Sequence, residues 1–173
     1  MSPSLQLLFH LPVPTAFGMA GLCFRRAEKP LTRVLLPGAA APSGAVDAAA
    51  GGVPPSIASS ACALAAYFEG AAPHIPPDLM DLSGLTACQK RVLAACAAIP
   101  WGETLSYADL AAAAGLSPRA ARFVGNTMAK NPFPVFIPCH RVVRADGSLG
   151  GFGGGTDLKA RMLAMERACG RSF

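Results

Sequence analysis

Along the second half of the chain, hydrophobic positions recur at spacings of three and four. Leu85, Cys88, Val92, Cys96 and Ile99 form one stripe, which predicts a helix from Thr86 to about Ala98. Thr86 and Gln89 supply a T-x-x-Q capping box at its start, and Pro100-Trp101-Gly102 ends it. Ser106 with Asp109 caps a second helix, Tyr107 to Ala114, which Gly115 stops. Ser117-Pro118, an N-cap followed by proline at the first helical position, opens a third helix that reaches about Ala129. Asp146-Gly147 reads as a hairpin-type turn. Leu158, Met162 and Glu166 are spaced by four and predict a closing helix, Asp157 to Ala168, capped by Thr156.

The first half is less regular. GMAGLCF (18–24) and TRVLLP (32–37) read as two short strands joined by a polar turn around Arg25, Arg26 and Lys29. Residues 39–55 are rich in Ala, Gly and Pro and read as a loop. Residues 58–69 have helical composition, with Leu64, Tyr67 and Phe68 as apolar anchors and Gly70 as the stop. Pro73, Pro76 and Pro77 then mark a linker. The expected fold class is α+β. A small mixed α/β N-terminal domain (1–80), structural in role, precedes a mainly helical C-terminal domain (81–173) with a helix-turn-helix.

Composition narrows the setting. Hydrophobic residues make up 52% of the 173, much of it alanine, and no apolar run approaches the roughly 20 residues that span a bilayer. No membrane partner is expected. The first residues carry no basic region and are broken by prolines and His10, so a secretory signal is not expected and a reducing, cytoplasmic setting is. The six cysteines (23, 62, 88, 96, 139 and 169) include no C-x-x-C pair. Cys88 and Cys96 read as helix packing residues. Cys23, Cys62, His10 and His74 are the one set that could in principle meet at a metal, and none is expected. Residues 114–145 hold Arg119, Arg122, Lys130, Arg141 and Arg144 with no acidic residue, within a net charge of +5. Such a segment suits an anionic partner such as a nucleic acid, or is an ordinary solvated basic face.

The chemistry concentrates in NPFPVFIPCHRVV (131–143). Prolines 132, 134 and 138 stiffen the approach to Cys139, and His140 follows it directly. A cysteine on a rigid support beside an imidazole is arranged for nucleophilic chemistry, since the thiolate is the reactive form. The plainer alternative is a small buried cysteine. Glu166 stands on the apolar stripe of the last helix, where a carboxylate needs a hydrogen-bonding partner. Either His140 is that partner or Glu166 sits at the stripe's edge in solvent. GGFGGG (150–155) lacks the GK[ST] of a phosphate loop and reads as backbone that must approach a ligand, with Phe152 as a lid, or simply as a loop.

Taken together, IPCHRVV, GSLGGFGGG, LKARMLAMERA, IPWGETLSYADLA and ARFVGNTMAKNPFPVFIP resemble the O6-alkylguanine-DNA alkyltransferase family (the methylated-DNA–protein-cysteine methyltransferases). The likeness is dense over about 85–167 and looser at YFEG (67–70) and RVLLP (33–37). It implies single-turnover DNA repair without a cofactor or metal, on double-stranded DNA containing O6-alkylguanine, and we expect a monomer. Cys139 is the implied alkyl acceptor, His140 draws its proton through a water, and Glu166 orients His140. Arg122 is the implied finger that fills the stack after the base flips out. Tyr107 presses on the rotating phosphate and bonds the base, Asn131 is the hinge to the reactive loop, and Met128 and Pro134 wall the base pocket. The backbone of Cys139 and Val142 reads the exocyclic groups. Phe152 and Gly153 stand where other members carry tyrosine or serine. The alternative is a non-catalytic relative that binds alkylated bases and recruits other factors, but such proteins lack the acceptor cysteine. A thiol hydrolase would need a base on a separate element, and a plain DNA-binding regulator would not need Cys139, His140 and Glu166 together.

Overall fold

The computed structural model describes residues 7–26, 30–48 and 52–170. The chain divides into two compact units, residues 1–83 and 84–173. The first unit contains β1 (Phe9–Thr15), β2 (Gly18–Phe24), β3 (Leu31–Leu35), β4 (Val46–Asp47) and α1 (Pro55–Tyr67), with sheet order β3-β2-β1-β4. β1 and β2 form an antiparallel hairpin in which Thr15 faces Gly18. Its core is Leu22, Phe24, Leu31, Ile57, Leu64 and Tyr67, all fully buried.

Three expectations change here. β1 was not foreseen, because Pro12 and Pro14 break its alternation. β4 pairs with β1 only at Phe9 and His10, so beyond Leu11 the outer side of β1 is an edge, where proline's missing N–H is tolerated. β4 itself lies within the stretch read as a loop. α1 starts at Pro55 rather than Ala58, with proline in its first turn. The turn at Lys29 lies outside the described residues.

The second unit contains α2 (Ala87–Ala97), β5 (Leu105–Ser106), α3 (Tyr107–Ala113), α4 (Ala121–Ala129), β6 (Val142–Val143) and α5 (Gly155–Cys169). Thr86 accepts from the Gln89 amide at 3.3 Å while the Gln89 side chain accepts from the Thr86 amide at 2.9 Å, so the capping box closes. The Ser106 hydroxyl accepts from the Asp109 amide at 3.1 Å. A left-handed Gly115 (φ 67°) turns the chain after α3. Pro118–Ala120 form a 3-10 turn, so the third helix is regular only from Ala121. Gly154, not Thr156, is the cap position of α5. Cys88 is exposed, because the covered face of α2 is Val92, Leu93 and Cys96. Leu105 and Ser106 pair in parallel with Val142 and Val143.

Among the described residues, no helix is long and apolar enough to cross a membrane. No group of three or more His, Cys, Asp or Glu among them is placed to hold a metal.

Candidate active site

The approach to Cys139 is locked by its own backbone. The Asn131 side chain donates to the Ile137 carbonyl at 2.8 Å and accepts from the Phe133 amide at 3.0 Å. Ile137 N–H in turn donates to the Phe133 carbonyl at 2.8 Å. Val135 sits at φ 77°. A β-branched residue rarely occupies the left-handed region, and doing so costs on the order of 1–3 kcal/mol. The surrounding closures hold it there, with Val135 itself only 1% exposed.

Cys139 opens a 3-10 turn, Cys139–Arg141, in which the Arg141 amide donates to the Pro138 carbonyl at 2.9 Å. Cys139 is 7% exposed. Burial pushes its pKa up, while the hydrogen bond with Asn131, the charge of Lys159 and backbone bonds pull it back.

Behind the turn lies a buried polar cluster. His140 Nε2 and Glu166 Oε1 are 2.6 Å apart, and both residues are fully buried. Of the two readings of Glu166, the partner of His140 is the one that holds. Arg141 grips the same carboxylate with Nε to Oε2 at 2.8 Å and Nη2 to Oε1 at 3.1 Å, and its Nη1 donates to the Ile99 carbonyl at 2.6 Å. The Gly102 amide donates to Oε2 at 3.2 Å, and the Trp101 indole donates to the Glu166 carbonyl at 3.0 Å. Burial alone would raise the Glu166 pKa, but the bonds from His140 and Arg141 overcome it and hold it at about 2. Burial lowers the His140 pKa against the pull of Glu166, so the imidazole is neutral near pH 7 and able to accept a proton.

In front of the thiol is a cavity of about 960 Å³. Cys139, Tyr107, Arg122, Met128, Phe152 and Gly153 line it. Gly150 is also on its wall at φ 67°, where a Cβ would come within 3.1 Å of the Tyr107 hydroxyl. Asn131, Pro134 and Val142 do not line the cavity. Asn131 acts on the loop behind it, and Pro134 is buried next to Val135. Both backbone groups of Val142 are used within the fold, the N–H on the Cys139 carbonyl and the C=O on Lys159. Arg122, on the cavity wall, and its neighbour Phe123 are both exposed on α4.

Sequence reasoning missed Arg141 and Lys159 as parts of the site. Lys159 is fully buried, and its ammonium donates to the carbonyls of Val142 and Leu149. The available signal was its place beside Leu158 on the covered face of α5, which is formed by Leu158, Lys159, Met162, Leu163 and Glu166. The arrangement is that of a thiol facing a roomy cavity with an imidazole–carboxylate pair at its back. It can deliver a thiolate to an electrophile held in the cavity.

Residues 87–168 match the family model of the 6-O-methylguanine DNA methyltransferase DNA-binding domain. A methylated-DNA–protein-cysteine methyltransferase of Methanothermobacter thermautotrophicus is 45% identical over 100 residues, 58% of this chain and 55% of that protein, little more than half its length. One from Mycolicibacterium paratuberculosis is 44% identical over 114 residues, 66% of this chain and 67% of that protein. The crystal structure of Mycobacterium tuberculosis O6-methylguanine methyltransferase superposes with a TM-score of 0.77 at 30% identity, covering 96% of this chain and 97% of that one. The same organism's protein in complex with DNA gives 0.75 at 30% identity, covering 93% and 94%.

Proposed function

Since the chain belongs to the O6-methylguanine DNA methyltransferase family, we propose that it repairs double-stranded DNA by moving the alkyl group of O6-alkylguanine onto its own Cys139. The observation that carries this reading is the Cys139 thiol on the wall of a cavity with the buried His140–Glu166 pair directly behind it.

The second unit is the DNA-binding and acceptor domain, with α3 and α4 as its helix-turn-helix. The first unit supports it. The damaged base leaves the duplex, at a cost of a few kcal/mol, and enters the cavity. Arg122, exposed on α4, takes its place in the stack. Tyr107, Met128, Phe152 and Gly153 then surround the base. The Cys139 proton passes through a water to His140, and Glu166 balances the imidazolium. The thiolate attacks the alkyl carbon in line, the carbon–O6 bond breaks, and its electron pair leaves with guanine. Guanine takes up one proton and returns to its normal form. The new S–C bond is a thioether, which water does not cleave, so each molecule acts once. A monomer suffices for such a reaction. The six unpaired cysteines suit a reducing cytoplasm.

Intact-protein mass spectrometry after incubation with duplex DNA carrying one O6-methylguanine tests this. One methyl on Cys139, saturating at one equivalent, is the expected result, and Cys139→Ala takes none while still binding DNA. Tight lesion binding without a mass change would mean a non-catalytic binder. Methyl transfer persisting in Cys139→Ala would overturn the assignment.

A further inference from the structure

Two cations are buried among the described residues, Arg141 at 6% exposure and Lys159 at 0%. Arg141 has its anion in Glu166. Lys159 has none among the described residues. Its ammonium donates to the Val142 carbonyl at 2.6 Å and to the Leu149 carbonyl. Carbonyl dipoles satisfy two of its three hydrogens but do not cancel its charge, and a buried charge without a counter-charge is costly. Its two partners flank the reaction. Val142 caps the turn that starts at Cys139, and Leu149 leads into the glycine-rich loop that walls the cavity.

We propose that Lys159 is a positioning residue with two tasks: it supplies the counter-charge for the Cys139 thiolate and pins the glycine loop to the segment that follows the nucleophile. The alternatives near the thiol are neutral or screened. Cys96 of α2 and Tyr107 of α3 interact with Cys139, but burial raises both and keeps them neutral. Burial keeps His140 neutral as well. Arg122 and Arg144 line the cavity but are exposed to solvent and screened. Burial lowers the Lys159 pKa, and the one charge that raises it again is that of Cys139. The coupling therefore runs both ways. On the alkyl-transfer reading above, on which this consequence rests, the thioether is neutral. Repair then removes the group whose thiolate form Lys159 can balance, and leaves no anion for it among the described residues of the spent protein.

The test uses the full chain. Thiolate formation at Cys139 is followed by ultraviolet absorbance against pH, with Cys139→Ala as the blank, and by capture with iodoacetamide. Lys159→Met is expected to raise the thiolate midpoint by about one pH unit. Fewer thiolates, each somewhat more nucleophilic, then slow capture at pH 7 by about fourfold. Lys159→Arg, which keeps the charge, restores the midpoint. A folded Lys159→Met with an unchanged midpoint overturns the proposal. If Lys159→Met does not fold, the ammonium is titrated by NMR of Cε-labelled lysine in wild type and in Cys139→Ala. Its midpoint is expected to be lower in Cys139→Ala, and identical midpoints overturn the proposal. Neither readout uses DNA. A chain that takes no methyl from DNA can still show the coupling, and one that does take it can still lack the coupling.

Discussion

Replacing Glu166 with glutamine keeps the shape of the side chain and removes its charge. In the native protein that charge is fully buried and meets His140 Nε2 at 2.6 Å and Arg141 Nε at 2.8 Å. Its pKa is held at about 2 against an ordinary 4.5. At about 1.4 kcal/mol per pKa unit, that difference stabilises the folded protein by about 3 kcal/mol at neutral pH. The direction follows from linkage. A carboxyl depressed by folding contributes fully above its unfolded pKa, and the contribution is lost as pH falls through the folded one. Wild type should therefore lose about 3 kcal/mol between pH 4.5 and 2. Glu166→Gln should have lost that amount already at pH 7 and should be flatter across the same window. That loss agrees with the roughly 3–5 kcal/mol typical of leaving one buried partner unpaired, here Arg141. Urea unfolding at stepped pH, read by the fluorescence of Trp101, measures it. Trp101 is the only tryptophan of the chain and donates to the Glu166 carbonyl at 3.0 Å. A loss below about 1 kcal/mol at pH 7, or parallel pH curves for the two proteins, would refute the reasoning.

Two further outcomes are expected. Arg122→Ala should slow repair of duplex DNA by at least about tenfold, as the loss of about 1.4 kcal/mol in the flipped state implies, while its reaction with free O6-benzylguanine changes far less; equal losses on both substrates would count against the finger role. Asn131→Ala removes both hydrogen bonds that close the approach to Cys139. It should lower the unfolding free energy by about 1–3 kcal/mol and raise the thiol pKa, because the bond with Asn131 lowers it. Urea titration and iodoacetamide capture read the two effects, and an unchanged midpoint in both would sink the account.

The helices of the second unit were legible because their ends carry their own chemistry. Thr86 with Gln89 and Ser106 with Asp109 name their partners three residues away, and the structure closes both contacts. The pairing of His140 with Glu166 was legible as one of two alternatives, because a carboxylate on an apolar stripe asks for a partner. β1 was not legible. What permits Pro12 and Pro14 there is that, among the described residues, no strand pairs with them on one side, which is a property of the sheet and not of the strand. Arg141 was counted with the basic segment 114–145, and Lys159 was given no role. Their burial depends on a distant carboxylate in one case and on two loop carbonyls in the other, and neither is written near them in the chain. Cys88 failed in the opposite sense. It has the right spacing for the stripe of α2, but only the face from Val92 onward is covered.

The two-rung pairing of Leu105–Ser106 with Val142–Val143 has a consequence for how such a protein can change over generations. Tyr107 begins α3 just after one arm, and Cys139 lies three residues before the other. Everything between them, including both helices of the hairpin, is hung from these rungs as a cassette. Exposed positions of its helices can change to alter the grip on DNA without moving the tyrosine relative to the nucleophile. A single residue added to either short arm would slip the register and turn the neighbouring side chains to the opposite face. Variation in this region is therefore tolerated at exposed helix positions away from Arg122, Met128 and Asn131, and forbidden at the rungs.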